Sequence, residues 1–379
     1  MPLKPAILLD SNAGAPLHPK VREALFAFLD SAPGRGNPAS SHSFGRESAA
    51  FIADADRLIL STFRVTPRDW QVTYTSGGTE ANQLAIRTAR DLLRKGELHP
   101  TWGVSLVEHA CVLGLREEWK KGEGVVLEIA PDQSGVVTEL KESKEQIDLL
   151  SVIGVGNETG LIQPSLTSHI QSAKNLPATK RPFYHVDYVA GWGKAELDLS
   201  QSDAPDFIAI AGHKLGGVPG SGALIHRKSI KVERHGTPNL IGIASLRAIA
   251  ELWPVFVDEL RGLKELRDRF EDELLRRFGR VRITGRGLAR VPNVSQFYFA
   301  DLPKNLSLVS ALDLRGFAVS AGSACSSQIP EPSHVLLAMG VPAANARNAL
   351  RVSLHPGNRW EDLAGLLDAL TEILRRHET

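Results

Sequence analysis

Between about residue 70 and residue 230 the chain alternates short β-rich runs with longer amphipathic helical stretches, and this alternation restricts the fold more than any other feature. The runs are QVTYTS (71–76), WGVSLV (102–107), VVLEIA (125–130), DLLSVIGV (148–155), FYHVD (183–187), DFIAIA (206–211) and SGALIHR (221–227). Segments such as TEANQLAIRTARDLLRK and SLTSHIQSAKN lie between them. Strands joined through helices pair in parallel by crossovers, so the pattern predicts an α/β domain with a mainly parallel seven-stranded sheet flanked by helices. After Asn239 a long helical pattern begins, interrupted by Pro254, whose ring and missing N–H should kink or split it. VRITG, NVSQFYF, FAVSAG and ALRVSL then read as short strands and RWEDLAGLLDALTEILRR as a terminal helix, which predicts a smaller α+β domain. We expect a large domain over residues 15–250 and a small one built from residues 1–14 and 251–379.

Open α/β sheets bind ligands at the carboxyl ends of their strands, so residues just past the predicted strands are the candidates for chemistry. Ser76, Gly77, Gly78 and Thr79 lie between a strand and a helix, where free backbone N–H groups and the helix dipole would cradle a phosphate. An ordinary turn capped by Thr79 fits the same residues. Asp187 ends FYHVD and either holds a heterocyclic nitrogen protonated or caps a turn. His213 and Lys214 follow DFIAIA in a glycine-rich loop; a poorly solvated lysine there can lose its proton and act as an amine nucleophile, whereas a solvated one would not. His109 follows WGVSLV, as a catalyst or as a satisfied hydrogen-bonding residue. Arg351, a charge within an apolar strand, needs an anion, either a structural carboxylate or a substrate's.

Cys325 sits among small and polar residues in VSAGSACSSQIPEPSHVL, where Pro330 and Pro332 indicate an exposed loop, so it reads as a reactive thiol or a plain loop cysteine. With Cys111 as the only other cysteine, no disulfide framework is available; neither has a CxxC partner that would suggest zinc, and no metal is expected. Cys111, beside His109, reads as a packing residue. Lys and Arg number 44 against 43 Asp and Glu, which gives no charge excess to attract nucleic acid or an anionic membrane. The N-terminus lacks a signal-peptide arrangement and no stretch of eighteen apolar residues occurs, so we expect a cytoplasmic protein. No GxGxxG follows the first strand, which argues against a dinucleotide-dependent dehydrogenase. A phosphate cradle, a carboxylate, a His-Lys pair, a thiol and an arginine on one scaffold suit an enzyme that uses pyridoxal 5'-phosphate (PLP) on an amino acid.

The order and spacing of these pieces resemble the cysteine desulfurases, in the class V aminotransferase group of fold-type I, aspartate aminotransferase-like PLP enzymes. The resemblance runs over nearly the whole chain: GNPASSHSFGRE, TSGGTEANQLAI, EHACVL, GNETGLIQP, HVD, GHK, RHGTPN, VPNVS, and SAGSACSSQIPEPSHVL followed by LRVSL. It implies that Lys214 holds PLP covalently, Asp187 pairs with its ring nitrogen, His109 stacks on the ring and shuttles protons, and Gly78, Thr79 and His213 hold the phosphate. Asn157 and Arg351 would bind the substrate, Cys325 would take its sulfur as a persulfide, and Thr237 would reach the phosphate of the other subunit. A homodimer is implied, converting L-cysteine to L-alanine and feeding a sulfur-acceptor protein such as an iron–sulfur scaffold or a tRNA-thiolation protein, with no direct nucleic-acid or membrane partner. The chain departs from the family at Ala190, where glutamine is usual, at Ala211, where serine is usual, at Gly14 and Ala15, where threonines are usual, and in a shortened segment at 228–234. Those departures leave two other readings: a chain that keeps the fold for binding, and a related enzyme acting on selenocysteine or a sulfinate.

Overall fold

The computed structural model describes residues 6–96, 99–137, 147–163, 181–201, 204–300, 302, 306–321 and 331–376. The stretch SLTSHIQSAKN, expected as a helix, and the segment carrying Cys325 lie outside these residues.

After a short first strand, β1 (Ile7–Leu8), come β2 (Trp70–Thr75), β3 (Thr101–Ser105), β4 (Val125–Ile129), β5 (Leu149–Ser151), β6 (Phe183–Asp187), β7 (Phe207–Ala211) and β8 (Gly222–Arg227). These last seven form one sheet in the order β2-β8-β7-β6-β5-β3-β4, so every run read from the sequence becomes one of its strands. All pairs are parallel except those of β8, which runs antiparallel to both neighbours. The connection from β7 to β8 spans only residues 212–221, too little for the crossover that a parallel pair requires. Every residue of β5 and β7 is buried, which is why these strands read as continuous apolar runs rather than alternating ones.

DLLSVIGV forms a strand only as far as Ser151. Beyond it, a Cβ on Gly154 would come within 2.7 Å of the Tyr188 ring, so glycine allows the chain to pass close by and turn out towards Asn157. The helix Gly78–Leu93 lays Ala81, Ala85, Ile86 and Ala89 on the sheet, one apolar stripe at helical spacing. At Pro254 the helical pattern breaks as expected: the helices Leu240–Glu251 and Trp253–Arg277 meet at 72°, and the proline occupies the first turn of the second, where an N–H needs no partner. Among the described residues no single helix is long and apolar enough to cross a membrane.

A small C-terminal sheet domain follows. Its strands β9 (Val281–Ile283), β10 (Val294–Phe299), β12 (Ser320–Ala321) and β13 (Leu350–Ser353) form an antiparallel sheet in the order β12-β13-β10-β9, while β11 (Phe317–Ala318) pairs in parallel with β1. FAVSAG, expected as one strand, is therefore divided at Val319. The N-terminal segment causes the division: the Leu9 N–H donates to the Ala318 carbonyl, and the Ser353 N–H to the Leu9 carbonyl, so the chain start is wedged between β11 and β13. The helix Trp360–Arg375 buries Leu363, Leu366, Leu367, Leu370, Ile373 and Leu374.

Candidate active site

Strand ends and the first turn of one helix converge on a cavity of about 100 Å3 that brings together Gly78, Thr79, His109, Asn157, Asp187, His213 and Lys214. Asp187, at the end of β6, is buried, and both of its oxygens have partners: Oδ1 accepts from the Val189 N–H at 3.0 Å and Oδ2 from Asn82 Nδ2 at 2.8 Å. Beside it Glu108 is fully buried, and desolvation, reinforced by the Asp187 charge, raises its carboxyl far above the usual range.

Lys214 lies in a 3-10 turn, Gly212–Leu215, that ends on Gly216 in the left-handed region at φ +79°. Glycine is required there by that conformation. Burial pushes the Lys214 amine down to about 8, against the opposing pull of Asp187, so it gives up its proton far more readily than a solvated lysine. His213 is pushed down to about 4, first by burial and then by the two nearby lysines, and stays neutral. His109 caps its own short helix, its Nδ1 accepting from the Cys111 N–H at 3.2 Å, so the neutral ring carries its proton on Nε2. Burial also lowers its pKa.

The helix Gly78–Leu93 begins at Gly77 with no side-chain cap, so Thr79 does not act as one and the first-turn N–H groups remain available to an anion. Small residues make this end of the cavity possible. A Cβ on Gly78 would meet Val189 Cγ2 at 2.3 Å, and one on Gly222 would meet the Gly77 backbone at 2.4 Å. An uncapped helix start, a buried carboxylate and a depressed lysine amine match the phosphate, ring nitrogen and aldehyde of PLP. Two polar atoms without partners, Asn157 Oδ1 and Arg351 Nε, match a substrate.

Arg351, in β13, finds the structural carboxylate that the sequence left open: its Nη2 donates to Asp10 Oδ1 at 2.7 Å and its Nη1 to the Asn157 carbonyl at 3.0 Å. Cys325 lies outside the described residues. Thr237 is exposed and does not line the cavity; Ala190 lines it and Ala211 is buried at the end of β7. Cys111 packs beside Asn82, and burial pushes its thiol up to about 11, which keeps it protonated.

Several residues of the site were not singled out in the sequence. Lys194 is buried with its Nζ donating to Asn12 Oδ1 at 2.9 Å, and Asn12 Nδ2 in turn donates to the Asn157 carbonyl at 2.7 Å. Burial, then Lys214 and Arg351, push this second lysine down to about 7. Lys194 and Lys214 also line a neighbouring cavity of about 540 Å3. The signal available for Lys194 was its place in GWGK, seven residues after Asp187, and for Asp10 its place closing the apolar run ILLD.

The Aminotransferase class-V family model matches residues 7–234 and 231–366. The chain is 34% identical to the cysteine desulfurase IscS of Dictyoglomus turgidum, over 100% of this chain and 96% of that protein. It is 33% identical to a cysteine desulfurase of Cereibacter sphaeroides, over 97% and 94% respectively. Among solved structures it is similar to a NifS-like protein from Rickettsia africae, with a TM-score of 0.83 and 26% identity over 98% of this chain and 99% of that one. With a seven-stranded sheet, a lysine-bearing turn after β7 and full-length similarity of this kind, the chain belongs to the Aminotransferase class-V family, within its cysteine desulfurase branch.

Proposed function

We propose that the protein is a PLP-dependent cysteine desulfurase that converts L-cysteine to L-alanine and transfers the sulfur to Cys325 as a persulfide, for delivery to an acceptor protein. The observation that carries this reading is the meeting of a depressed Lys214 amine and the buried Asp187 carboxyl in one cavity, with the buried Arg351 joined to its edge through the Asn157 carbonyl.

Bound there, PLP would supply an electron sink for the substrate α-carbon. Lys214 holds the cofactor and, when displaced by the substrate amine, has a neutral amine able to take the α-proton; a base with a pKa near the working pH suits that task. Asp187 would pair with the ring nitrogen, and the first-turn N–H groups at Gly78 and Thr79 would hold the phosphate, with neutral His213 beside them. His109 lines the cavity and carries its ring proton on Nε2. Arg351 engages the substrate carboxylate with the N–H groups that Asp10 and Asn157 leave free. The Cys325 thiolate attacks the substrate sulfur, the carbon–sulfur bond breaks with its electron pair passing to the β-carbon, and protonation of the β-carbon together with return of a proton to the α-carbon yields alanine.

A cytoplasmic homodimer fits this reading. Phe26, Leu29, Phe44 and Ile241 are 58%, 46%, 45% and 46% exposed on helices that pack on one another, which supports a subunit contact there. Thr237, exposed beyond the shortened 228–234 segment, is free to reach a second subunit. The test is addition of PLP to the apoprotein, then L-cysteine with a reductant. A visible band that Lys214→Ala abolishes, and alanine equal to the sulfide released, are expected; a wild-type protein that takes up no PLP contradicts the proposal.

A further inference from the structure

Behind Asp187 runs a chain of side-chain hydrogen bonds that the reaction itself does not use. Trp102 Nε1 donates to Ser151 Oγ at 2.9 Å, Ser151 Oγ meets His185 Nδ1 at 3.1 Å, His185 Nε2 meets Asn82 Oδ1 at 2.9 Å, and Asn82 Nδ2 donates to Asp187 Oδ2 at 2.8 Å. None of the five residues is more than 4% exposed, so water does not compete for any link. The sheet sets the spacing: Ser151 on β5 and His185 on β6 are register partners, and His185 and Asp187 are two apart on one strand and share a face.

Both ends of the chain impose the same direction. At one end, the indole N–H can only donate, so Ser151 accepts from it and is left with its own O–H to give to His185 Nδ1. The imidazole proton is thereby placed on Nε2, which donates to Asn82 Oδ1. At the other end, the carboxylate can only accept, so Asn82 must turn Nδ2 towards it. With Asn82 reversed, its carbonyl oxygen would face the Asp187 anion and its amide N–H would face a ring N–H, leaving both contacts repulsive. Burial also pushes His185 down to about 4, so the ring keeps the neutral form that this order requires.

We infer that His185 is a positioning residue which, through Asn82, holds the Asp187 carboxylate fixed in orientation towards the cofactor site. This rests on the desulfurase reading for its consequence and on the hydrogen-bond order alone for its existence. Asn82 is the only side chain that donates to Asp187 among the described residues, and the His185 N–H on its Oδ1 locks the amide in the orientation that the carboxylate requires.

Two variants of the holoenzyme and one measurement on the apoprotein test it. His185→Phe removes the donor while filling the space; His185→Gln restores an acceptor towards Ser151 and a donor towards Asn82. His185→Phe is expected to shift the pH dependence of the visible absorbance of bound cofactor and to lower kcat by roughly tenfold to a hundredfold at nearly unchanged KM, as misplacement of a group from a distance does. His185→Gln recovers both. A His185→Phe enzyme with the wild-type spectrum and kcat overturns the inference, as does His185→Gln behaving like the phenylalanine variant. Nitrogen NMR of the wild-type apoprotein is expected to show His185 as the Nε2–H tautomer with no titration across the neutral range; an Nδ1–H tautomer or a titrating ring overturns the relay even where a variant fails to fold. Failure of the wild type to take up PLP would contradict the desulfurase reading instead, and the NMR result still decides the relay.

Discussion

Arg351, only 2% exposed in the middle of a small-domain sheet, donates to the carboxylate of Asp10 at 2.7 Å across 341 residues of sequence. The other oxygen of Asp10 accepts from Ser320 Oγ at 2.8 Å, on the strand paired with Arg351. The arginine proposed to grip the substrate is thus held in place before substrate arrives. Removing one member of a buried ion pair strands the other charge. Asp10→Ala is therefore expected to lower stability by about 3–5 kcal/mol and to raise KM for L-cysteine more than it lowers kcat, with Asp10→Asn intermediate. Denaturant unfolding and steady-state kinetics check both effects, and an Asp10→Ala enzyme with unchanged KM would count against the role given to Arg351.

Glu158 makes stability depend on pH in a direction opposite to most carboxylates. It is buried against Ser333 and Gln296, and desolvation pushes its pKa up from 4.5 to about 7. Between those values the native state keeps a proton that the unfolded chain releases, so this group's contribution to stability falls as pH rises through that window. Glu158→Gln retains an acceptor for Ser333 and cannot ionise. At pH 8 it should exceed the wild type by up to about 3 kcal/mol, and at pH 5 the two should nearly coincide. Unfolding curves that stay parallel from pH 5 to pH 8 would refute the shift.

Ala190 lines the cavity, at the position where the resemblance to the cysteine desulfurases implies a glutamine against the cofactor's phenolic oxygen. A hydrogen bond to a charged group contributes about 1.5–3 kcal/mol, so Ala190→Gln should tighten PLP binding roughly tenfold to a hundredfold. Equilibrium dialysis or fluorescence titration gives the dissociation constants. Equal affinities would mean that Asn157 or another group already satisfies that oxygen.

Much of the sheet and half of the site could be read in the chain because they are local. Each strand of the large sheet falls within a contiguous β-rich run, and Asp187, His109 and Lys214 stand at or shortly after the ends of such runs, at the edge where α/β folds bind ligands. What could not be read depends on contacts between distant segments. Asp10 becomes the partner of Arg351 only once the N-terminal segment is wedged between β11 and β13, and the same insertion divides FAVSAG. His185 and Asn82 look like ordinary polar residues in a strand and a helix, and their order of donation appears only when Trp102 and Ser151 are brought alongside. Lys194 carries no strand-end signal of its own.

The most direct test of the central claim is intact-protein mass spectrometry after a single turnover with L-cysteine in the absence of reductant, comparing the wild type with Cys325→Ser. The account predicts that the wild type gains the mass of one sulfur atom, mapped by peptide digestion to Cys325 and released by thiol, with one alanine formed per site. It predicts that Cys325→Ser binds PLP with the same spectrum and gains no sulfur. Sulfur transfer that persists in Cys325→Ser, or alanine formation with no sulfur held by the wild type, would contradict it.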